Sequence, residues 1–426
     1  MAIPNTNSFT SRIPKLWGGG NKQLTAEDVR TAREYINAYW PKLTRFHPKD
    51  NENLIGLPKP YLVPAHEQGH EFDFNELYYW DSYFMVQGML DESHKELVVG
   101  VLEDLVSMFK RYKIVPNASR TYLMGRSQPP LLTSFIMDVY QAYGLDKEWL
   151  TEMIAVAKDE YQTVWMGKAK PNARQVYEGL SRYYDVNYLD NLAETESGWD
   201  FTPRFNRHAL NYLPIDLNCL LYKYERDFAA AARILGDENE ANDWDRAAHE
   251  RLLKINQLMW SEMRGLYYDY NYVKRNRGAV SSLATYYAMW SGLAAEKAAA
   301  KMVNNLKKFE KRGGLSTTDG PQVGQLMPGS APMQWAYPNG WAPLHFIVVK
   351  GLQRYGYDEP ARRIALKWLK TNLDWFNRHG VFLEKYNVVQ PDKPPQKGVY
   401  PSQTGFGWTN AVFERFCQEF IDNRSP

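Results

Sequence analysis

The amino-acid sequence predicts an all-α fold. Three observations favour it. Apolar residues recur with helical spacing along most of the chain, long alternation of apolar and polar residues is scarce, and segments rich in Gly, Pro and Asn separate the helical ones. Twelve helical segments can be distinguished in this way. Paired as hairpins, they would suit a toroid of six inner and six outer helices.

Helical spacing is clearest near both ends of the chain. Apolar residues between positions 361 and 369 lie at i, i+3, i+4, i+7 and i+8, which is one face of a helix. Near the start, Thr25 is a suitable N-cap, and Asp28 stands three residues later as in a capping box. The predicted helices span residues 25–43, 76–91, 95–112, 130–144, 147–167, 208–235, 239–260, 281–293, 295–310, 340–355, 359–378 and 406–423.

Long segments that lack helical spacing lie between these helices. They cover residues 49–75, 113–129, 169–207, 311–339 and 380–405. Long loops on a rigid scaffold often carry function. No low-complexity linker divides the chain, so we expect one domain over residues 1–426, with residues 1–24 as an N-terminal extension.

The composition excludes several classes of protein. Hydrophobic residues make up 44% and charged residues 23%, as in a globular protein with a core. The net charge of +2 is spread without a basic stripe, which argues against nucleic acid as a partner. No apolar run reaches the roughly 18 residues of a membrane span. The N-terminus has no signal-peptide pattern, and Cys219 and Cys417 form no disulfide framework. We expect a cytoplasmic monomer.

Aromatic residues are abundant, with 14 Trp and 29 Tyr. They are typical either of a large aromatic core or of a carbohydrate pocket, where flat rings pack on the C–H faces of a sugar. Composition alone does not choose between the two.

The first candidate for chemistry is Asp200, in the motif at residues 196–204. It stands between Trp199 and Phe201 after a glycine, Gly198. Burial beside two aromatic rings would favour the protonated carboxyl, which is what a general acid needs. The alternative is an Asp that caps the following helix.

The second candidate is Glu384, in the segment at residues 381–387. It is the lone acid of an apolar stretch, and Lys385 follows it. Such a carboxylate could act as a general base for water; the alternative is a Glu that faces solvent or pairs with a lysine. The two acids are 184 positions apart, so only the fold can bring them together. Inverting glycosidases hold their two carboxyl groups about 6.5–9.5 Å apart to leave room for water.

Further polar residues stand among aromatic ones or next to helix starts. Asp81 lies in the aromatic run at residues 78–84 and could bind sugar hydroxyls. Arg126 and Gln128 precede the start of a helix. Two more such motifs lie at residues 334–343, which include Trp335, and at residues 403–410. Each could equally serve as loop or helix-end packing.

One short motif indicates a different chemistry. His66, Glu67 and His70 match the His-Glu-x-x-His pattern of zinc peptidases. That chemistry needs both histidines on one helix face. Pro64 and Gly69 interrupt the segment and no helical spacing surrounds it, so we expect no metal and no other cofactor. A zinc peptidase remains the alternative from another class.

Taken together, the motifs resemble the trehalases, which are inverting α-glycosidases built on an (α/α)6 barrel. The resemblance runs from about residue 57 to the C-terminus and keeps the order of the motifs. The matching segments are residues 60–64, 78–84, 116–130, 196–201, 214–218, 338–344, 384–386 and 405–410.

The resemblance implies a role for each matching residue. Asp200, of the Ser-Gly-Trp-Asp-Phe motif, would be the general acid, and Glu384, of Glu-Lys-Tyr, the general base. The residues expected to bind the substrate are Phe74, Tyr78, Trp80, Asp81, Asn117, Arg126, Gln128, Gly198 and Trp335.

The departures from the family pattern cluster, and several of the residues concerned grip the second sugar in trehalases. Asp73 stands where the family has Arg, and Ala336 where it has Asp. The family's Arg-Pro-Glu-Ser segment is absent, and the Gly-rich lid that ends in Glu-Tyr reads Gln-Lys-Gly-Val-Tyr at residues 396–400. Because buried polar groups discriminate strongly between leaving groups, these losses predict a different leaving group.

The sequence therefore predicts an inverting α-glucosidase that acts on a small α-glucoside. The substrate would be trehalose or a trehalose-like compatible solute such as glucosylglycerol. The alternatives are a hydrolase of glucosylglycerate or mannosylglycerate, and a sugar-binding protein that has lost catalysis.

Overall fold

The computed structural model describes residues 25–66, 74–322, 333–396, 398 and 402–422, and helices dominate it. The helices are α1 (Ala26–Leu43), α2 (Tyr79–Val86), α3 (Lys95–Tyr112), α4 (Leu132–Tyr143), α5 (Lys147–Glu160), α6 (Asp190–Glu196), α7 (Ile215–Leu235), α8 (Glu238–Met259), α9 (Tyr287–Trp290), α10 (Glu296–Asn305), α11 (Ala342–Arg354), α12 (Asp358–His379) and α13 (Gly407–Phe420).

The strands are short and pair locally. They are β1 (Thr44–Arg45) with β2 (Tyr61–Leu62), β3 (Gln175–Tyr177) with β4 (Leu180–Ser181), β5 (Tyr212–Leu213) with β8 (Tyr270–Asn271) and β9 (Asn276–Arg277), β6 (Trp260–Ser261) with β7 (Leu266–Tyr267), β10 (Glu310–Lys311) with β11 (Gly314–Leu315), and β12 (Asn339–Trp341) with β13 (Lys385–Asn387). All the pairings are antiparallel. In the described part of the chain no large sheet forms, as the scarcity of alternation predicts.

Six helices form an inner ring because their sequences are apolar on most sides. Every residue of α2 is buried, and so are most residues of α7, α11 and α13. A helix that is apolar nearly all round must be surrounded by other elements. In the ring, α2, α4, α7, α9, α11 and α13 follow one another, and α13 packs against α2.

Side-chain contacts join neighbouring members of the ring. Gln87, just after α2, donates a hydrogen bond to Asp138 of α4 at 2.9 Å. Thr133 of α4 donates to Asp227 of α7 at 2.9 Å. The ring closes where Trp80 of α2 meets Trp408 of α13, with ring centroids 6.0 Å apart.

The outer helices are amphipathic and cover this ring. In α1 the buried positions include Val29, Ala32 and Ile36, which lie at helical spacing on one face. The predicted capping box is present, since the Thr25 hydroxyl oxygen accepts the Asp28 N–H at 3.2 Å. Inner and outer helices alternate along the chain, and the predicted (α/α)6 barrel is confirmed.

The helix ends differ from the prediction in ways that local chemistry explains. Helix α7 begins at Ile215 rather than near 208, because Pro214 has extended backbone and takes the N-cap position. The segment predicted as a helix over 281–293 is a 3-10 turn over Leu283–Tyr286 followed by the short α9. Helix α6 is an addition, inside a segment predicted to be a loop.

None of the helices in the described ranges has the length and apolar character required to cross a bilayer. The prediction of one domain over residues 1–426 stays a prediction.

Candidate active site

A cavity of about 330 Å³ opens where the inner helices begin. It lies over the first turns of α2 and α13 and is walled by loops that lead into α4, α7, α11 and α13. The lining residues are Pro64, Phe74, Tyr78, Trp80, Asp81, Asn117, Leu123, Arg126, Gln128, Thr195, Gly198, Asp200, Trp335, Glu384, Gln403, Phe406 and Trp408. The fold thus brings together every residue that the sequence predicted for the site.

The loop that carries Asp200, residues 196–204, is called the acid loop. Gly198 has φ +71°, and a Cβ atom there would lie 2.6 Å from Cε2 of Trp80. Only glycine allows the loop to pass so close to that ring. Phe201, the residue after the acid, has φ +60°, a strained backbone for a bulky side chain. The surrounding structure must therefore hold the acid loop in place.

A buried ion cluster around Arg204, the last residue of the acid loop, does much of this. The guanidinium of Arg204 donates to both carboxylate oxygens of Asp216 at 2.6 and 2.8 Å, and to both of Asp269 at 2.7 and 3.0 Å. It also lies over the ring of Trp199, 4.4 Å from its centroid. A buried arginine with two carboxylates is fully paired, so its geometry is well defined.

The carboxyl group of Asp200 lies in an environment that favours its protonated form. The pKa of Asp200 is raised to about 7: burial is the main cause, the positive charge of Arg126 opposes it, and the negative charge of Glu384 adds to it. Among the described residues, no side chain or backbone group hydrogen-bonds the carboxyl. A carboxyl whose pKa lies near neutral pH is suited to donating a proton.

Glu384 is held differently, in the base segment, residues 383–387. Its carboxylate pairs with the Nζ atom of Lys385 at 2.5 Å, and Lys385 is fully buried. The carbonyl of Glu384 accepts the indole N–H of Trp408 at 3.1 Å. Strand β13, which begins at Lys385, pairs with β12. The strand pairing and the Trp408 contact fix the backbone, and the ammonium group of Lys385 holds the side chain by an ion pair.

Asp81 is a third carboxyl in the same cavity. It lies in the first turn of α2 and is 5% exposed. Burial raises the pKa of Asp81 well above its usual value, and the charges of Glu384 and Asp200 add to the shift. The charge of Glu384 therefore makes both Asp81 and Asp200 harder to ionise.

The segment at residues 117–128 brings three predicted ligands to the cavity wall. Gln128 accepts the backbone N–H of Trp80 at 2.9 Å, and the Asn117 amide donates to the Ser127 carbonyl at 3.1 Å. Arg126 donates to the buried Asp185 at 3.1 Å, while its Nε atom has no hydrogen-bond partner in the described structure. A buried donor without a partner is costly.

Tryptophans form the opposite wall. Trp335 stacks on Trp341 with centroids 3.8 Å apart and planes 1° from parallel. Trp335 also stacks on Trp199 at 5.4 Å and contacts Trp80 at 5.6 Å. Because Trp80, Trp335 and Trp408 face the cavity, the abundant aromatic residues serve both the core and the pocket.

Comparison with known proteins gives a consistent result. The family model described as Trehalase matches residues 18–196 and 186–420. The cytosolic neutral trehalase of Kluyveromyces lactis is 32% identical over 85% of this chain and 56% of its own length. A periplasmic trehalase of Escherichia coli is 31% identical over 96% of this chain and 77% of its own length.

The chain belongs to the trehalase family. The predicted glycoside hydrolase of trehalase type is thereby confirmed at the level of the family. The chain spans only a little more than half the length of the yeast relative.

Solved structures agree with the trehalase assignment. The neutral trehalase of Saccharomyces cerevisiae superposes with a TM-score of 0.73 at 28% identity, over 91% of this chain and 79% of that one. A mannosylglycerate hydrolase of Thermus thermophilus superposes with a TM-score of 0.66 at 17% identity, over 92% of this chain and all of that one, which shows a shared fold.

The departures from the trehalase pattern are only partly described. Ala336 is fully buried, one position after the cavity-lining Trp335. Asp73 and most of the 396–400 segment lie outside the described residues.

Several lining residues escaped the sequence reasoning. Leu123 and Thr195 face the cavity but carry no motif of their own, and only the fold places them there. Pro64, Phe406 and Trp408 stood within quoted motifs without an assigned role. The aromatic residues of the 403–410 motif lie next to a helix start, and this was the sequence feature that could have indicated Phe406 and Trp408.

The zinc pattern cannot be followed through the fold. His66 is described and lies 3.2 Å from Arg45, measured between His66 Nδ1 and Arg45 Nη2. Glu67 and His70 lie outside the described residues. Among the residues that are described, no three His, Cys, Asp or Glu side chains converge as metal ligands.

Proposed function

We propose that this protein is an inverting α-glucosidase that hydrolyses a small α-glucoside, either trehalose or a trehalose-like compatible solute such as glucosylglycerol. The observation that carries the proposal is the pairing of two differently tuned acids in one cavity. Asp200 has a pKa of about 7, whereas Glu384 is held beside the ammonium group of Lys385. Acid and base roles separate when two carboxyls have different environments.

In the proposed reaction, Asp200 donates its proton to the glycosidic oxygen as the bond to the anomeric carbon breaks. Glu384 takes a proton from a water molecule that attacks the anomeric carbon from the opposite face. The sugar passes through an oxocarbenium-like transition state and is released with inverted configuration. The proposal requires the two carboxyl groups to lie about 6.5–9.5 Å apart, with the water between Glu384 and the sugar.

The first sugar would be bound by the side of the cavity that keeps the family's residues. Asp81, Asn117, Arg126 and Gln128 offer polar groups to hydroxyls, and Trp80 and Trp335 offer flat surfaces. Phe74 and Tyr78 would complete the subsite, and Gly198 would let the acid loop approach it. The guanidinium group of Arg126 lines this side of the cavity, which supports a hydroxyl ligand at this position.

The test combines a substrate panel with variants of the two acids. Trehalose, glucosylglycerol, glucosylglycerate and mannosylglycerate are supplied, and the released sugar and its anomeric form are followed by NMR. We expect the β-anomer first from an α-glucoside. Asp200→Asn and Glu384→Gln should each lower kcat by about 10³-fold or more, since general acid or base catalysis is lost.

Asp104→Asn is the matched control. Asp104 is also buried, and burial raises its pKa to about 8, but it accepts the Lys59 N–H outside the cavity. It should keep wild-type kcat. Full activity in both acid variants would refute the assignment, as would first release of the α-anomer. Release from the glycerate conjugates alone would move the substrate to the alternative class.

For the setting of the enzyme we propose the cytoplasm and a monomeric state. The support for the cytoplasm is that Cys219 and Cys417 are both free and buried. Cell fractionation and analytical ultracentrifugation test the two statements separately.

A further inference from the structure

One buried acid near Asp200 has no place in the reaction described so far. Glu194 lies on α6, is 9% exposed, and does not line the cavity. Its Oε1 atom accepts the backbone N–H of Thr202 at 3.2 Å. The backbone N–H of Phe201 also donates to its carboxylate. Glu194 therefore binds the two peptide groups that directly follow Asp200.

The backbone of Glu194 holds the other side of the acid loop. Its carbonyl accepts both the N–H of Ser197 at 2.9 Å and the hydroxyl of Ser197 at 2.6 Å. Glu194 thus makes hydrogen bonds to residues on both sides of Asp200 in the sequence. These hydrogen bonds hold the backbone around Phe201, whose left-handed conformation costs energy and needs support from its surroundings.

We propose that Glu194 is a positioning residue for Asp200, which holds the acid loop in its strained conformation and sets a second negative charge beside the acid. This inference rests on the proposed function, since it assigns a task relative to the general acid. Nothing in the motifs pointed to it, because Glu194 lies before the Ser-Gly-Trp-Asp-Phe run and acts through space.

The charges around the two acids define what this charge can do. Glu194 faces Asp200 and Arg204, while Asp200 itself faces Arg126, Glu384 and Asp81. Burial raises the pKa of Glu194 to about 7, and the charge of Asp200 adds to the shift. Coupling between two sites is reciprocal, so an ionised Glu194 also makes Asp200 harder to ionise. The effect is present near and above pH 7, where Glu194 is charged.

The experiment uses two substitutions that separate position from charge. Glu194→Gln keeps an oxygen that can accept the two N–H groups but removes the charge. We expect its kcat at pH 5.5 to stay within about threefold of wild type, while the basic limb of its kcat/KM profile moves down by about half a pH unit. Glu194→Leu removes the acceptor as well, and its kcat should fall by about tenfold or more with a smaller change in KM.

Glu160→Gln is the matched control. Glu160 is another buried acid with a pKa raised by burial to about 7, but it faces Tyr79 and Tyr224 instead of the acid loop. Its substitution should leave the basic limb where it is. The proposal would be overturned if the basic limb of the kcat/KM profile stayed at its wild-type pH in Glu194→Gln. It would also be overturned if that limb shifted by the same amount in Glu160→Gln. Wild-type kcat in Glu194→Leu would do so too. None of these results would remove the wild-type hydrolysis that tests the proposed function.

Discussion

The acid loop and the base segment each place a carboxyl group in the same cavity, but they surround it with different charges. Both present a carboxyl group that has been taken out of water. On the acid loop, no cation among the described residues forms an ion pair with Asp200, so burial favours the protonated group. On the base segment, the ammonium group of Lys385 lies 2.5 Å from the Glu384 carboxylate and forms an ion pair with it. The comparison teaches that burial alone does not choose a role: the presence or absence of an adjacent cation does.

The largest effect we expect comes from removing that cation. Lys385→Met would leave the Glu384 carboxylate buried without its ammonium partner, which typically costs about 3–5 kcal/mol. We expect kcat to fall by about 100-fold, together with a lower free energy of unfolding. Steady-state kinetics and urea denaturation measure the two effects.

Lys385→Arg serves as the comparison, because arginine keeps a positive charge in a different shape. It should retain more activity than the methionine variant. Equal kcat in wild type and Lys385→Met would contradict the role given to the lysine.

A smaller effect is expected on the side of the acid loop. Gly198→Ala would place a Cβ atom 2.6 Å from the Trp80 ring and put an alanine at φ +71°. The loop must shift, so kcat/KM should fall by about tenfold and the protein should lose about 1–3 kcal/mol of stability. Gly236→Ala is the control, since its φ is +95° but nothing lies within 4 Å of the added Cβ. It should lose stability only.

The pH profile tests the comparison without any substitution. Asp200 must be protonated to act, and its pKa is about 7. We therefore expect kcat/KM to fall about tenfold per pH unit once the pH rises above that value. Initial rates between pH 4 and 9 give the profile. A basic limb that is absent up to pH 9 would show that Asp200 is not the proton donor.

The smallest effect expected is a gain in stability. The pKa of Asp200 is higher in the folded protein than in the unfolded chain, so its contribution to stability is full in acid and is lost as the pH rises towards about 7. The asparagine of Asp200→Asn cannot ionise, so this variant does not lose stability as the pH rises. The variant should be about 2 kcal/mol more stable than wild type at pH 8 and nearly equal to it at pH 4.

Urea denaturation at the two pH values measures the difference for Asp200→Asn. A gain that is the same at both pH values would show that ionisation is not its cause.

The ring of helices could be predicted from the sequence because the buried residues of a helix recur at a regular spacing. The stripe of α1 and the capping box at Thr25 are local features, and the structure reproduces them. Element ends were harder, since Pro214 acts on the backbone just before α7, inside the stretch predicted to be helical. The short α9 shows that an apolar stretch need not form a long helix.

Site residues that stand in recognisable sequence motifs could be predicted. Site residues that are placed only by contacts between distant parts of the chain could not. Asp200 and Glu384 stood out by their aromatic or apolar neighbours in sequence. Glu194 and Leu123 have no such mark, because their relation to the cavity depends on residues far away in sequence or on the path of a loop. Their discovery required the fold.

The wall of stacked tryptophans gives the protein an optical signal of its own. Trp335 and Trp341 lie parallel at 3.8 Å, and Trp80 and Trp408 face the same cavity. Indoles at this spacing couple their electronic transitions, and any sugar that packs on Trp335 changes the polarity around the pair. Ligand occupancy can therefore be followed by intrinsic fluorescence and near-ultraviolet circular dichroism, in the inactive Glu384→Gln variant and without a label.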